Sequence, residues 1–418
     1  MSAGYDLIVI GAGYAGLMAA LTAQQSGRKT LLIAKGNGGT HLKTGCIDVL
    51  GYHAGRRVDH ALRTVSELIS ERPGHPYAAT GAEALGAALL AFKQAMDRAG
   101  YPFEGDGIIN LLLPSALGVP RPTALAPRTM IAGDLRRPTP IVVVGFDNFK
   151  DFHPALIADN LTAAGHPARA VTLTAPGFED EADLPPMTLA RAFDNAPFRA
   201  AFTAVLGPQL RPGERVALPA VLGLNAALEA LADLEARLGV PVFEIPTLPP
   251  SIPGIRLFNA FDRLLRAAGA RVQIGHPVVG FKTDGLRVTA VTGQSAARPK
   301  DWACDAVVLA TGGVASGGIT VDSHRVARET VFGLPVVAAA QPPETVNGMS
   351  APAAYFERPG PSLPGLAVDA ALRPLDHSGT AAYLNLYAAG TLLTGAEPWR
   401  EKSGEGISLA SGWRTGQC

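Results

Sequence analysis

Cysteine is scarce in this chain. Cys46, Cys304 and Cys418 are too few and too scattered for a disulfide framework or for a zinc or iron–sulfur site, which would need clustered ligands. A reducing, cytoplasmic compartment is the expectation that follows. Net charge is absent as well: 36 basic and 36 acidic residues cancel, so no polyanion, and in particular no nucleic acid, is expected as a partner. Long apolar runs are missing. The most apolar stretches, 108–113, 141–146 and 306–310, are too short to cross a bilayer and have Pro or Gly around them. The amino-terminal stretch lacks a basic region leading into an uninterrupted apolar segment, so no secretory signal is expected. Charged residues make up only 17% of the chain, which favours a large buried interface with another subunit.

Glycine, by contrast, is abundant at 47 residues, and its first cluster carries the strongest pattern. Asp6-Leu7-Ile8-Val9-Ile10 is a buried-strand run leading into Gly11-Ala12-Gly13-Tyr14-Ala15-Gly16, after which Leu17, Ala20, Leu21 and Ala23 recur at helical spacing. Strand, glycine turn and helix in this order form a cradle for a nucleotide phosphate. Gly11 allows the tight turn, Gly13 removes a side chain that would block the phosphate, and Gly16 lets the helix lie close on the strand. The phosphate then meets unpaired amide N–H groups where backbone dipoles favour negative charge. The bland alternative is the same turn with no ligand. Gly27 ends the helix and 29–34 forms a second strand.

A dinucleotide site usually carries Asp or Glu at the end of that second strand, about twenty residues beyond the glycines, to accept hydrogen bonds from the adenosine ribose. Here Ala34, Lys35 and Gly36 stand at that end. A methyl group cannot accept a hydrogen bond, so either other groups anchor the adenosine half or the ligand has none, as in a mononucleotide. Lys35 has two readings, a partner for a 2′-phosphate and hence NADP, or a solvated loop charge beside Gly-Asn-Gly-Gly; the second is favoured.

Further along, 82–99 reads as a helix between glycines, and from about 101 to 250 frequent Pro and short apolar runs suggest an inserted lobe. Within it 140–146 looks like a buried strand and 152–164 like a helix closed by Gly165. Regular patterning resumes after the Pro-dense 247–254, with a helix over 257–268, strands over 271–274, 277–283 and 286–293, and the last two paired around Asp284-Gly285. A buried strand over 305–309 then ends in Ala310-Thr311-Gly312-Gly313, bringing bare backbone back toward the nucleotide. A final strand delivers Gly390, and Gly404-Glu405-Gly406-Ile407 opens a last helix. Its amides are suited to stabilise negative charge on the pyrimidine edge of a flavin, since oriented N–H groups act without reorganisation; alternatively these glycines only cap that helix. The fold class expected is α/β: a Rossmann-like flavoprotein fold of the FAD/NAD(P)-binding type with an inserted second lobe. Residues 1–100 would form the first part of the flavin-binding domain, 101–250 the lobe, and 251–418 the return to the flavin domain.

With these residues the chain resembles the B subunits of anaerobic glycerol-3-phosphate dehydrogenases, in the fumarate reductase-like flavoprotein group. The likeness runs nearly end to end: Gly11–Gly16, Ala34-Lys35-Gly36, 40–50 with Thr40, His41, Gly45 and Cys46, then 144–146, 151–154, 218–224, 248–257, Ala310–Gly313 with 316–318, 328–334 and 386–406. Pro249-Pro250-Ser251-Ile252-Pro253-Gly254-Ile255-Arg256-Leu257 is the most specific part, because a generic nucleotide fold has no need for it. The resemblance implies FMN, with FAD as the alternative, which agrees with the absent acid at Ala34. It also implies a catalytic A subunit that oxidises glycerol 3-phosphate to dihydroxyacetone phosphate, and a C subunit with iron–sulfur clusters that attaches the assembly to the membrane and passes electrons to quinone. This chain would then carry a second flavin and reach the membrane only through its partners.

Two residues depart from the family pattern. Ser403 replaces a usual cysteine, and Glu405 stands where a small residue or glycine is favoured. A carboxylate beside the pyrimidine edge would disfavour the anionic reduced flavin unless it turns to solvent or meets a cation. Binding is expected at Gly11, Ala12, Gly13, Tyr14, Ala15, Gly16, Ala34, Lys35, Gly36, Thr40, His41, Gly45, Cys46, Ala310, Thr311, Gly312, Gly313, Gly390, Gly404, Glu405, Gly406 and Ile407, with no metal. Cys46 has a packing reading, preferred for want of a second nearby cysteine, and a redox one. If the chain oxidised an alcohol itself, a base such as His41 or His324 and an anion clamp such as Arg325 or Arg328 would be needed; otherwise the last three are surface residues on a helix face. Two rivals remain: a free-standing flavin oxidoreductase for another hydroxy acid or polyol phosphate, and a cofactor-free scaffold subunit.

Overall fold

Leu7, Ile8, Val9 and Ile10 are buried on both sides, as an interior strand of a covered parallel sheet requires, and form β1 (Tyr5–Ile10). In this computed structural model, which describes residues 4–294, 298–324, 326–337 and 364–418, the glycine turn leads from β1 into α1 (Tyr14–Gln25). The chain returns as β2 (Thr30–Ala34), parallel to β1, with Ile10 opposite Ile33. Helix α1 is buried from Tyr14 to Ala23, so its sequence shows no polar face. Helices α2 (Ala61–Glu71) and α3 (Ala82–Arg98) contribute Val65, Leu68, Leu89, Phe92 and Met96 to the same core.

The chain then leaves this sheet. A second, all-parallel sheet follows, built from β3 (Ile141–Phe146), β4 (Ala168–Leu173), β5 (Arg215–Pro219) and β6 (Val242–Ile245) in the order β4-β3-β5-β6. Helix α4 (Pro154–Ala163) links β3 to β4, and α5 (Ala227–Leu238) links β5 to β6. The second core runs from Leu135 to Ile252. Tyr101, Phe103, Ala124 and Leu125 pack in the first core, with the Phe103 ring 4.8 Å from Phe92, so chain beyond 101 still belongs to that core, while Leu112 packs on the second and Leu111, Leu113, Ala126 and Met130 cluster with Ala220.

The return begins with α6 (Ile252–Ala267), five residues earlier than its apolar spacing alone suggests. Ser251 caps it by accepting from the Gly254 N–H at 3.0 Å, and Pro253 fits the first turn, where no amide donor is needed. Strand β7 (Arg271–Ile274) pairs with β2, and β8 (Val278–Asp284) and β9 (Arg287–Gln294) form a hairpin. The first half of β10 (Pro299–Leu309) continues this antiparallel unit, while Cys304–Leu309 lies parallel to β1. The sheet order is β7-β2-β1-β10-β9-β8, and β11 (Leu386–Ala388) adds to β10. Helix α7 (Gly404–Gly416) closes the chain against α1. Added Cβ atoms at Gly412 and Gly416 would lie 2.3 Å from Ala15 O and 2.5 Å from Ala19 O, so only glycine permits this approach. Among the described residues no helix is long and apolar enough to cross a membrane.

Candidate functional site

The carboxyl ends of β1, β2, β10 and β11 open into one cleft of ≈ 590 Å³, the place where open parallel sheets bind ligands. It is lined by 10–15, by 34–39 with Leu42 and Lys43, by Pro277 and Val278, by 310–312 with 315–317, by Thr330 and Val331, and by 389–391 with Ser408. The amino-terminal turn, the end of β10, the end of β11 and one turn of α7 therefore share a cavity.

The glycines divide into two kinds. A Cβ at Gly13, Gly36 or Gly39 would meet nothing within 4 Å, so these positions leave space in the cleft. At Gly11, with φ +113°, a Cβ would lie 2.2 Å from Ala310 O, and at Gly16 1.9 Å from Gly11 O, so these two let backbones touch. Helix α1 starts at Gly13 without a side-chain cap, which leaves first-turn N–H groups for an outside acceptor.

Among the described residues the cleft lining carries Lys35 and Lys43 and no carboxylate. The Thr311 hydroxyl and the Tyr14 phenol are buried in its wall without hydrogen-bond partners. Buried hydroxyls are seldom left so, and a polar ligand in the cleft is the available partner. Burial, reinforced by the Glu405 carboxylate, holds the Tyr14 phenol well above its ordinary range, so it is a neutral donor. A phosphate-bearing aromatic ligand thus fits: backbone amides for the anion, small residues for the plane, and unpaired hydroxyls for polar edges.

Glu405 does meet a cation. Its carboxylate pairs with the Lys43 ammonium, which also lies 5.7 Å from the Tyr14 ring centroid. Burial raises the Glu405 carboxyl pKa, but Lys43 and then Arg121 outweigh it, so the group is held below its ordinary range and ionised. Arg121 in turn pairs with Asp48, whose own carboxyl is raised, chiefly by burial.

Several expected residues lie elsewhere. Gly404, Glu405, Gly406 and Ile407 are not in the cleft lining, and two of their amides are used elsewhere: the Gly406 N–H donates to Asp48 O at 2.9 Å and the Ile407 N–H to Ser403 O at 3.0 Å. Gly406 is small because a Cβ would lie 2.2 Å from the Tyr77 hydroxyl. The following Ser408 is the residue of α7 that lines the cleft. Thr40 is buried beneath its loop, and Gly45 faces Pro253, where a Cβ would sit 2.5 Å from Pro253 Cβ. Cys46 is buried with Sγ 3.6 Å from Met130 Sδ, and burial pushes its thiol up, which fits packing and not redox exchange. Gly313 backs onto Thr391, where an added Cβ would lie 3.0 Å from Thr391 O.

The proposed bases and clamps that lie among the described residues are not brought together either. His41 stands edge-on to Phe258, 5.1 Å between centroids, outside the cleft lining, and burial lowers its imidazole pKa. His324 and Arg328 are exposed on a two-stranded hairpin of Ile319–Val321 and Ala327–Glu329, not on a helix face; Arg325 lies outside the described residues. Lys43, Thr391 and Ser408 are among the cleft-lining residues that pattern reading passed over. Lys43 and Thr391 adjoin motifs already singled out, whereas Pro277 and Val278 reach the cleft through the pairing of β7 with β2, which no local signal reveals.

The sequence profile of the FAD binding domain family matches residues 6–407. The B subunit of the anaerobic glycerol-3-phosphate dehydrogenase of Vibrio cholerae serotype O1 is 31% identical over 98% of this chain and 95% of its own. That of Pectobacterium carotovorum is 29% identical over 97% and 96%. The open conformation of a flavocytochrome c3 fumarate reductase aligns over 99% of this chain and 78% of its own, with 10% identity and a TM-score of 0.45. The chain belongs to the FAD binding domain family and, within it, to the family of anaerobic glycerol-3-phosphate dehydrogenase B subunits, which makes it a flavin-dependent oxidoreductase.

Proposed function

We propose that this chain is the flavin-carrying B subunit of an anaerobic glycerol-3-phosphate dehydrogenase. It takes up electrons released when sn-glycerol 3-phosphate is oxidised to dihydroxyacetone phosphate on a catalytic A subunit, and hands them toward an iron–sulfur C subunit and quinone. The observation that carries the reading is a single cleft at the strand ends, lined among the described residues by bare backbone and two lysines and by no carboxylate. When bound, the isoalloxazine ring supplies the two-electron chemistry. The chain's own groups bind and orient: Gly13 admits a phosphate to the first-turn amides of α1, and Thr311 and Tyr14 offer hydroxyls.

FMN is the flavin favoured. Ala34 occupies the ribose-acid position, and no Asp or Glu stands among the described residues of the cleft lining. The absence of His41, His324 and Arg328 from the cleft supports a relay of electrons over substrate oxidation within this chain. Membrane attachment would come through the C subunit.

Mixing the flavin-loaded chain with glycerol 3-phosphate and an electron-accepting dye tests this. Alone it should give no dye reduction, and its flavin should bleach once the A subunit is added. Dye reduction by the isolated chain would transfer the assignment to a free-standing oxidoreductase.

A further inference from the structure

We propose that Lys43 is the cation that sets the redox balance of the flavin, and that Glu405 is a positioning residue acting through it; this rests on the flavin reading above. Lys43 lines the cleft with its side chain 36% exposed, while Glu405 stands behind it at 10% and outside the lining. The pair bridges the loop after β2 and the first turn of α7, so an otherwise mobile lysine is fixed to a helix. The Lys43 ammonium packs beside Gly404, where an added Cβ would lie 3.5 Å from Nζ, in ordinary contact. The other charges felt by this carboxylate, Arg121 and Asp48, pair with each other. Lys43 is therefore the charge of this cluster that reaches the ligand space.

Two-electron reduction from a hydride-equivalent donor takes up two electrons and one proton, leaving one extra negative charge on the ring. An ammonium in the cleft wall favours that charge, and in a partly desolvated site the effect exceeds its value in water. The Glu405 carboxylate cancels part of it. Loss of Lys43 leaves that carboxylate uncompensated and should disfavour reduction, whereas neutralising Glu405 should favour it.

Reductive titration of the loaded chain with dithionite against a reference dye reads the balance directly. Lys43→Met should shift the reduced-to-oxidised ratio at least tenfold toward oxidised, ~30 mV for two electrons. Glu405→Gln should shift it the other way, and Lys43→Arg should stay near the parent value. A Lys43→Met chain that binds oxidised and reduced flavin equally more weakly, at unchanged potential, would make Lys43 a phosphate anchor and overturn the proposal. Thermal melting of the variants separates misfolding from tuning, and if Lys43→Met does not fold, unchanged potential in Glu405→Gln is enough to overturn it. A parent chain that takes up no flavin would instead overturn the flavin reading itself.

Discussion

Two glycines three residues apart in one motif do different work. Gly13→Asp should leave folding intact, because its side chain enters open space, yet should abolish flavin retention by placing a carboxylate where an anion sits. Gly16→Ala should cost more than ~3 kcal/mol, since its methyl meets a carbonyl that cannot move without the turn. Urea unfolding of the flavin-free proteins, with flavin titration alongside, checks both. Restoring an acid at the end of β2, Ala34→Glu, should not improve FMN retention, and a clearly higher FMN affinity would count against the site geometry. At this scale the sequence was most informative where local rules suffice: Gly11, Gly13 and the missing acid at Ala34 were legible because a strand, a turn and a helix in order demand them. Lys43 was not, because its partner Glu405 is remote in sequence and meets it only through the packing of α7.

Elements near the site are held by buried polar ties. Glu401, just before α7, accepts from Arg72 at 2.7 Å and lies 3.2 Å from the His75 ring nitrogen. Burial raises its carboxyl pKa, but His75, Ser403 and Arg72 outweigh it and bring the group down to about 2. The folded value lies below the unfolded one, so the stabilisation is complete above about pH 4.3 and is lost as pH falls toward 2, on the order of 3 kcal/mol. Glu401→Gln should flatten the acid limb of the stability–pH curve in that window, as measured by denaturation midpoints. The seating of α7 on α1 is equally specific: Gly412→Val should cost about 2 kcal/mol or more and loosen flavin, because Ala15 and Ser408 on these helices line the cleft. The helix was legible as an element, whereas which of its residues face the cleft was not. A helix read alone gives a face only by its polar side, and every residue of α7 from Gly404 to Gly412 is buried.

Across the whole molecule, one ion pair joins the return helix to the second lobe. Arg256 of α6 binds Glu244 of β6 in two contacts of 2.8 and 2.9 Å, and also donates to Gly223 O at 2.7 Å. Both side chains are buried, so Arg256→Met alone should cost about 3–5 kcal/mol in urea unfolding, and adding Glu244→Leu should recover only part of it, because Glu244 also accepts from the Leu222 N–H and the Thr129 hydroxyl. The insertion was visible in the sequence as a change in Pro content, but its edge was not: Tyr101 and Phe103 sit in Pro-rich chain and still pack on the first core. That the cleft binds flavin is the claim on which all else depends. Its most direct measurement is the absorbance spectrum and released ligand of the purified chain beside Gly13→Asp. Equimolar flavin, recovered as FMN, is expected in the parent and none in the folded variant. A folded parent that stays colourless after addition of FMN or FAD, or a variant that keeps its flavin, would contradict it.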